Sequence, residues 1–461
     1  MGKTETRAGT AGIITTDGAS STQSLQTLGF GVFGYMKGTN GATSCYSGSS
    51  PSWTWENATP NFMYNEQVTY AASKWSYTPI KYWPNDFSTS SVDAADPAAT
   101  GSVDAGKLSF FAYAPYVTAT AATGVVTPTT EGITGLSSNN ANTEPWVTYK
   151  FAKTGDPAKY NLTTTSNVDL LWGTRITDSY DKAAGGTIGL TGYQDAEGNY
   201  YNTDLTKQKT AETVDFNFKH ALAKFGGNDG TRCGMQVVAD FDLNDGTPAE
   251  SPSSDVAANQ KPTETLITLN RIKIENMTAE GDKFAIGGKF NLATGTWSEH
   301  VYADANELST TYTVASTGAN AAVWEPATPA LTYSDGWQQS SQTFAGIDHT
   351  FKDVFSSAAD ALYFIPGGNC KLKITVQYTV RTFDDGLVSL GSGETTSTKI
   401  VQEIANVVNF TSLKPNHFYK LIIHLGLTSV KFAAVVSSWD NTTSGNDDTQ
   451  FIWLPSNTVT P

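Results

Sequence analysis

Short runs in which apolar and polar residues alternate are scattered along the chain and separated by long stretches rich in Ser, Thr, Gly and Asn. The run Lys371–Val380 places Leu372, Ile374, Val376, Tyr378 and Val380 on one face of a strand, because side chains of an extended chain point alternately to its two sides. Leu266–Ile274 alternates from Leu269 onward, and Leu108–Ala114 is a β-rich block that stops at Pro115. Tyr419–Trp439 predicts two further strands joined near Gly426. Few segments carry the 3.6-residue period of an amphipathic helix. The pattern therefore predicts an all-β protein built from sandwiches with long polar loops.

The polar stretches 88–106, 117–145 and 244–262 are longer than ordinary β-connections, a length associated with functional or mobile loops. A strand expected over Val168–Gly173 is followed by the polar stretch 178–212, and a new apolar run opens at Val214. That spacing predicts a domain boundary near residue 208, with one sandwich in 1–208 and a second in 209–461. At 461 residues the chain exceeds the roughly 250–300 at which a single core stops growing, which agrees with two domains.

Composition narrows the function. There are 29 Lys plus Arg against 44 Asp plus Glu, a net charge of −15, and this argues against a nucleic-acid or anionic-membrane surface. Charged residues make up only 16% of the chain, below the roughly 25% of an average soluble protein, so the surface is neutral-polar as in many exported β proteins. The start Met1-Gly2-Lys3 lacks the profile of a signal peptide, so any export signal is expected to have been removed already. Cys45, Cys233 and Cys370 are far apart and lack metal-ligand spacing; one disulfide among them stays open.

Candidate chemistry is sparse. No nucleophile elbow, phosphate loop or dinucleotide fingerprint is present, and no cofactor is expected. The five histidines, His220, His300, His349, His417 and His424, are scattered and read as structural. Asp240–Gly246 resembles a calcium loop, but its glycine comes one position late and the final Glu is missing, so a turn is the simpler reading. Asp169, Asp215 and Glu275 fall within alternating runs, where an acid usually marks the solvent face. Trp53, Trp55, Trp75, Tyr77, Tyr82 and Trp83 could instead form an aromatic platform for a sugar. A surface glycan-binding lipoprotein using residues 53–83 is therefore the alternative function.

Five blocks, taken in order, carry a resemblance. They are Trp75-Ser76-Tyr77-Thr78-Pro79-Ile80-Lys81-Tyr82-Trp83-Pro84, the run Leu108–Pro115, His220-Ala221-Leu222-Ala223-Lys224, Gly288–Trp297, and Leu413–Tyr419 running on to Trp439. Over residues 75–439 the chain resembles the fimbrillins of Bacteroidales, the type V pilins. The resemblance implies two tandem transthyretin-like β-sandwich domains and a non-enzymatic, structural role in a cell-surface fimbria, with adhesion to a host or bacterial surface ligand as a further possibility. It also implies export as an outer-membrane lipoprotein, trimming by a protease after an arginine, and polymerisation with other pilin subunits by strand exchange. Arg7 is the matching candidate for the cut. No lipid-bearing cysteine precedes it in this sequence.

Strand exchange also suits the residues themselves. An incomplete sandwich exposes an apolar groove and an unpaired sheet edge, and an extended segment from a neighbour can fill both. Phe451, Ile452, Trp453 and Leu454 have the make-up of a donor strand: Phe451 and Trp453 share one face, Ile452 and Leu454 the other. An ordinary last strand folding back on its own domain is the competing reading. Ile13 and Ile14 are the candidates for a removable first strand, against a frayed terminus.

Overall fold

A computed structural model describes residues 13–14, 24–36, 59–82, 108–127, 131–141, 143–155, 158–174, 202–205, 214–227, 233–239, 265–279, 281–304, 307–313, 323–324, 352–355, 357–368, 371–388, 395–409, 413–425, 430–438, 452–453 and 457–458. The fold is all-β. Among these residues the single α-helix is one turn, Leu25–Leu28, capped by the Ser24 hydroxyl, which accepts the Thr27 N–H. Expected strands appear where the alternation placed them. Leu108–Ala114, Thr265–Asn276, Lys371–Val388, His417–Leu425 and Val430–Ser438 are all strands. Leu372, Ile374, Val376 and Tyr378 are buried together on one face, as the period of two requires.

Four large sheets organise the molecule. The first runs, in spatial order, Asn217–His220, Leu171–Thr174, Leu108–Ala114, Phe30–Met36, Met63–Ala71 and Lys74–Ser76, and Asn202–Leu205 also pairs with Leu108–Ala114. The second, of four strands, joins Thr296–Tyr302, Ala285–Asn291, Trp146–Lys150 and Gly132–Leu136. The third is built on the long antiparallel pair Lys371–Val388 and Thr395–Asn409, with Thr265–Asn276 alongside. The fourth centres on His417–Leu425, which pairs in parallel with Met235–Ala239 and Ala223–Phe225 and antiparallel with Val430–Ser438. Strands from both sides of residue 208 share the first two sheets: Asn217–His220 pairs with Leu171–Thr174, and Ala285–Asn291 with Trp146–Lys150.

The first sheet is covered on both faces. Phe30, Val32, Leu108, Phe110, Ala112, Leu171 and Phe218 enter a smaller apolar cluster. Their alternating neighbours Phe33, Tyr35, Phe111, Tyr113 and Trp172 enter the main core, which continues through the other three sheets. A strand buried on both sides loses the polar half of its alternation, which is why Leu108–Ala114 is apolar almost throughout.

The hairpin between Ala285–Asn291 and Thr296–Tyr302 shows how one sequence block is fixed. The Asn291 side-chain oxygen accepts the N–H groups of Ala293 and Thr294, which turns the chain. Gly295 then adopts a φ of 67°, and a Cβ there would lie 2.3 Å from the ring of Trp172. Gly295→Ala is expected to cost about 1–3 kcal/mol, from backbone strain and overpacking of a buried ring, read as a lower urea midpoint with unchanged slope. A midpoint equal to wild type would remove this account of the glycine.

Candidate assembly site

Residues 13–14 lie between the two apolar clusters. Ile14 is 2% exposed and belongs to the smaller cluster, while Ile13 packs against the main core. Successive side chains thus go to two different apolar clusters, as alternate side chains of an extended segment do. Burying a side chain the size of Ile14 contributes about 1.5–3 kcal/mol, so this segment is seated rather than draped.

A polar contact anchors it. The Ile14 N–H donates to Asp169 Oδ2 at 3.0 Å, and Asp169 is 0% exposed. The same carboxylate meets His220 Nδ1, 3.0 Å from Oδ1 and 2.9 Å from Oδ2, with the imidazole side chain 6% exposed. A carboxylate can only accept, so the proton between the two sits on Nδ1. The Tyr363 hydroxyl completes the surroundings: burial, then the charge of Asp169 and the neighbouring Tyr149, push it well above the ordinary tyrosine range and keep it neutral. A buried carboxylate is tolerable only when it is paired and hydrogen-bonded, and here both conditions are met.

This corrects one expectation. Asp169 does not mark a solvent face; it precedes the strand Leu171–Thr174 and points into the interior. Asp215 is exposed but lies ahead of the strand Asn217–His220, while Glu275 is in a strand and pairs with Lys273 at 2.7 Å. The signal for Asp169 was an acid with apolar residues on both sides, in Val168-Asp169-Leu170-Leu171-Trp172, where neither parity of an alternating strand is polar.

Three of the motif blocks converge beside this anchor. Trp297 Nε1–H donates to the Ala221 carbonyl at 2.6 Å, and the Ala221 N–H donates to the Leu170 carbonyl at 2.7 Å. Asn416 accepts the His220 N–H at 3.1 Å and donates its own N–H to the Leu222 carbonyl at 3.2 Å. The blocks around 220–224, 288–297 and 413–419 are therefore hydrogen-bonded to one another, each satisfying backbone groups of an interior turn. No group of three His, Cys, Asp or Glu residues able to hold a metal occurs among the described residues.

The remaining candidates are placed as follows. Ile452–Trp453 pairs antiparallel with Val430–Ser438 of the same chain, Trp453 opposite Ala433 and Ile452 opposite Ala434. Phe451 and Leu454 lie outside the described residues, as do Arg7 and the loop Asp240–Gly246. Of the aromatic group, Trp53, Trp55 and Trp83 also lie outside them. Trp75 is 38% exposed on the outer strand Lys74–Ser76, with its ring edge-on to Phe30 and Tyr70, and Tyr82 is 84% exposed. Cys233 carries a free thiol that burial pushes above its usual range; Cys45 and Cys370 are outside the described residues.

Comparison with known proteins bears on this arrangement. No protein-family model matches the chain. A curated relative, the fimbrium subunit Fim1C of Phocaeicola vulgatus, is 25% identical over 449 residues, covering 94% of this chain and 87% of the relative. The crystal structure of a fimbrial protein from Bacteroides vulgatus superposes with a TM-score of 0.50 at 19% identity, covering 94% of this chain and all of that one, a likeness of fold. The resemblance to fimbrial proteins drawn from the five blocks thus holds along nearly the whole chain.

Proposed function

We propose that this chain, similar along its length to a fimbrium subunit, is itself a structural subunit of a bacterial surface fimbria and polymerises by protease-triggered strand exchange. In this reading it has two tandem transthyretin-like sandwiches, tied together by the strands shared across residue 208. It reaches the cell surface through an outer-membrane lipoprotein precursor, partners other pilin subunits, and adheres to host or bacterial surfaces as part of the fibre.

The seat of residues 13–14 is the observation that carries the reading. A segment that sends one large side chain to each of two apolar clusters, and leaves two apolar surfaces behind when withdrawn, is what an exchange mechanism needs. A cut after Arg7 would make Ile13 and Ile14 the sixth and seventh residues of the trimmed chain. A segment close to a free end can peel away progressively, without the loop-closure constraint of an internal one. A neighbour's Phe451–Leu454 would then occupy the vacated groove.

Treatment with an arginine-specific protease is expected to cut after Arg7 and allow slow growth of oligomer ladders on a mass-resolved gel, whereas the uncut chain stays monomeric. Arg7→Ala should block both cleavage and laddering. A trimmed chain that remains monomeric at high concentration would overturn the exchange mechanism.

A further inference from the structure

Beyond the apolar groove, the segment's seat contains one charged group, and that group has a specific geometric job. We propose that the Asp169–His220 pair is the latch that holds residues 13–14 in place, and the polar socket that any segment replacing them must satisfy. This inference rests on the exchange reading only for its second half; the latch itself stands on the free chain.

The argument starts from what withdrawal would leave. With Ile14 gone, Asp169 Oδ2 loses the N–H that lies 3.0 Å away, while the carboxylate stays among Leu170, Ala221 and Tyr363 in the interior. Oδ2 then keeps His220 Nδ1, 2.9 Å away, but a buried charged acceptor that loses one of its donors keeps that share of its desolvation cost uncompensated. His220 cannot take over, because its Nδ1 already faces both oxygens and its backbone N–H is committed to Asn416. Unlatching is therefore disfavoured well beyond the apolar area it uncovers, and the vacated site is polarised for one kind of occupant. That occupant is an extended peptide segment of a second copy of this chain, presenting a free backbone N–H to Asp169 and large apolar side chains to either side. The segment Phe451-Ile452-Trp453-Leu454 meets these terms, with no proline before Pro455. Proline at the position facing Asp169 is excluded, since it has no N–H to give.

Amide hydrogen exchange on the intact, full-length chain tests the latch. In Asp169→Ala the Ile14 amide is expected to exchange at least about tenfold faster than in wild type, the loss of one charge-assisted bond, while amides of the strand Phe30–Met36 keep their wild-type protection. Ile14 exchange within twofold of wild type, with that strand still protected, overturns the latch. If Asp169→Ala does not fold, the segment is changed instead. Ile14→Pro removes the N–H but keeps apolar bulk, and Ile14→Ala keeps the N–H but loses most of the side chain. The latch requires Pro to speed exchange of the Ile13 amide more than Ala does; the reverse order overturns it. The two readings separate on trimming. Faster Ile14 exchange without ladders supports the latch and counts against strand exchange, whereas normal ladders with unchanged Ile14 exchange leave assembly standing and remove the latch.

Discussion

Removing residues 441–461 is expected to stop the trimmed chain from forming ladders, without unfolding it. In the free chain the described contacts of this region are two short edge pairings, Ile452–Trp453 on Val430–Ser438 and Asn457–Thr458 on Thr395–Asn409, each of two residue pairs. Among the described residues, then, little ladder hydrogen bonding is surrendered when the segment leaves its own subunit. Seated in a neighbour's groove, four large apolar side chains would contribute about 1.5–3 kcal/mol each, or roughly 6–12 kcal/mol before the entropy of ordering the segment is subtracted. Exchange is then favoured wherever the neighbour's groove buries these side chains more fully than the segment's own subunit does. The check is a gel of the trimmed deletion variant beside trimmed wild type, with thermal unfolding to show that the deletion keeps its fold. Ladders of normal length from the deletion variant would exclude these residues as the donor and move the search to another edge.

The second large effect is on stability. Trp297→Ala is expected to lower the unfolding free energy by about 3–5 kcal/mol, the usual cost of truncating a buried aromatic. The indole is packed against Phe290, with ring centroids 5.2 Å apart, and edge-on to Tyr149 at 6.0 Å. Its N–H also satisfies the Ala221 carbonyl, which would be left without that donor in the interior and add a penalty of about 1 kcal/mol or more. Because total stabilities are about 5–15 kcal/mol, the variant should be partly unfolded at physiological temperature. Trp297→Phe, which keeps an aromatic ring but loses the hydrogen bond and part of the indole's volume, should cost less than Trp297→Ala. Urea unfolding of the pair measures the split; a loss below about 1 kcal/mol for Ala would mean that the site collapses around the missing ring.

The fold class was legible because strand periodicity is a local property. Lys371–Val380 alternates in the sequence and its described apolar residues are buried on one face, whereas Leu266–Ile274 changes parity after Leu269, where the register shift between Leu269 and Arg271 lets Leu269, Ile272 and Ile274 all be buried. The five motif blocks were legible as a resemblance, but their purpose was not. His220–Lys224, Gly288–Trp297 and Leu413–Tyr419 meet around the backbone of Ala221, a convergence of positions up to 196 residues apart that no local pattern encodes. Likewise, the composition shift near residue 208 marks a polar stretch in the chain, whereas sheet partners are chosen by packing in three dimensions.

The sequence by itself determined that this is an all-β chain with fimbrillin-like motifs, because those features depend on residue order and side-chain chemistry alone. Only the tertiary structure decided which sheets those strands join and that Ile13 and Ile14 sit between two apolar clusters. It also showed that Asp169 turns inward to grip the Ile14 N–H beside His220. Burial of a charge depends on what lies across the interior from it, and that is settled when distant segments pack, not when they are written in order.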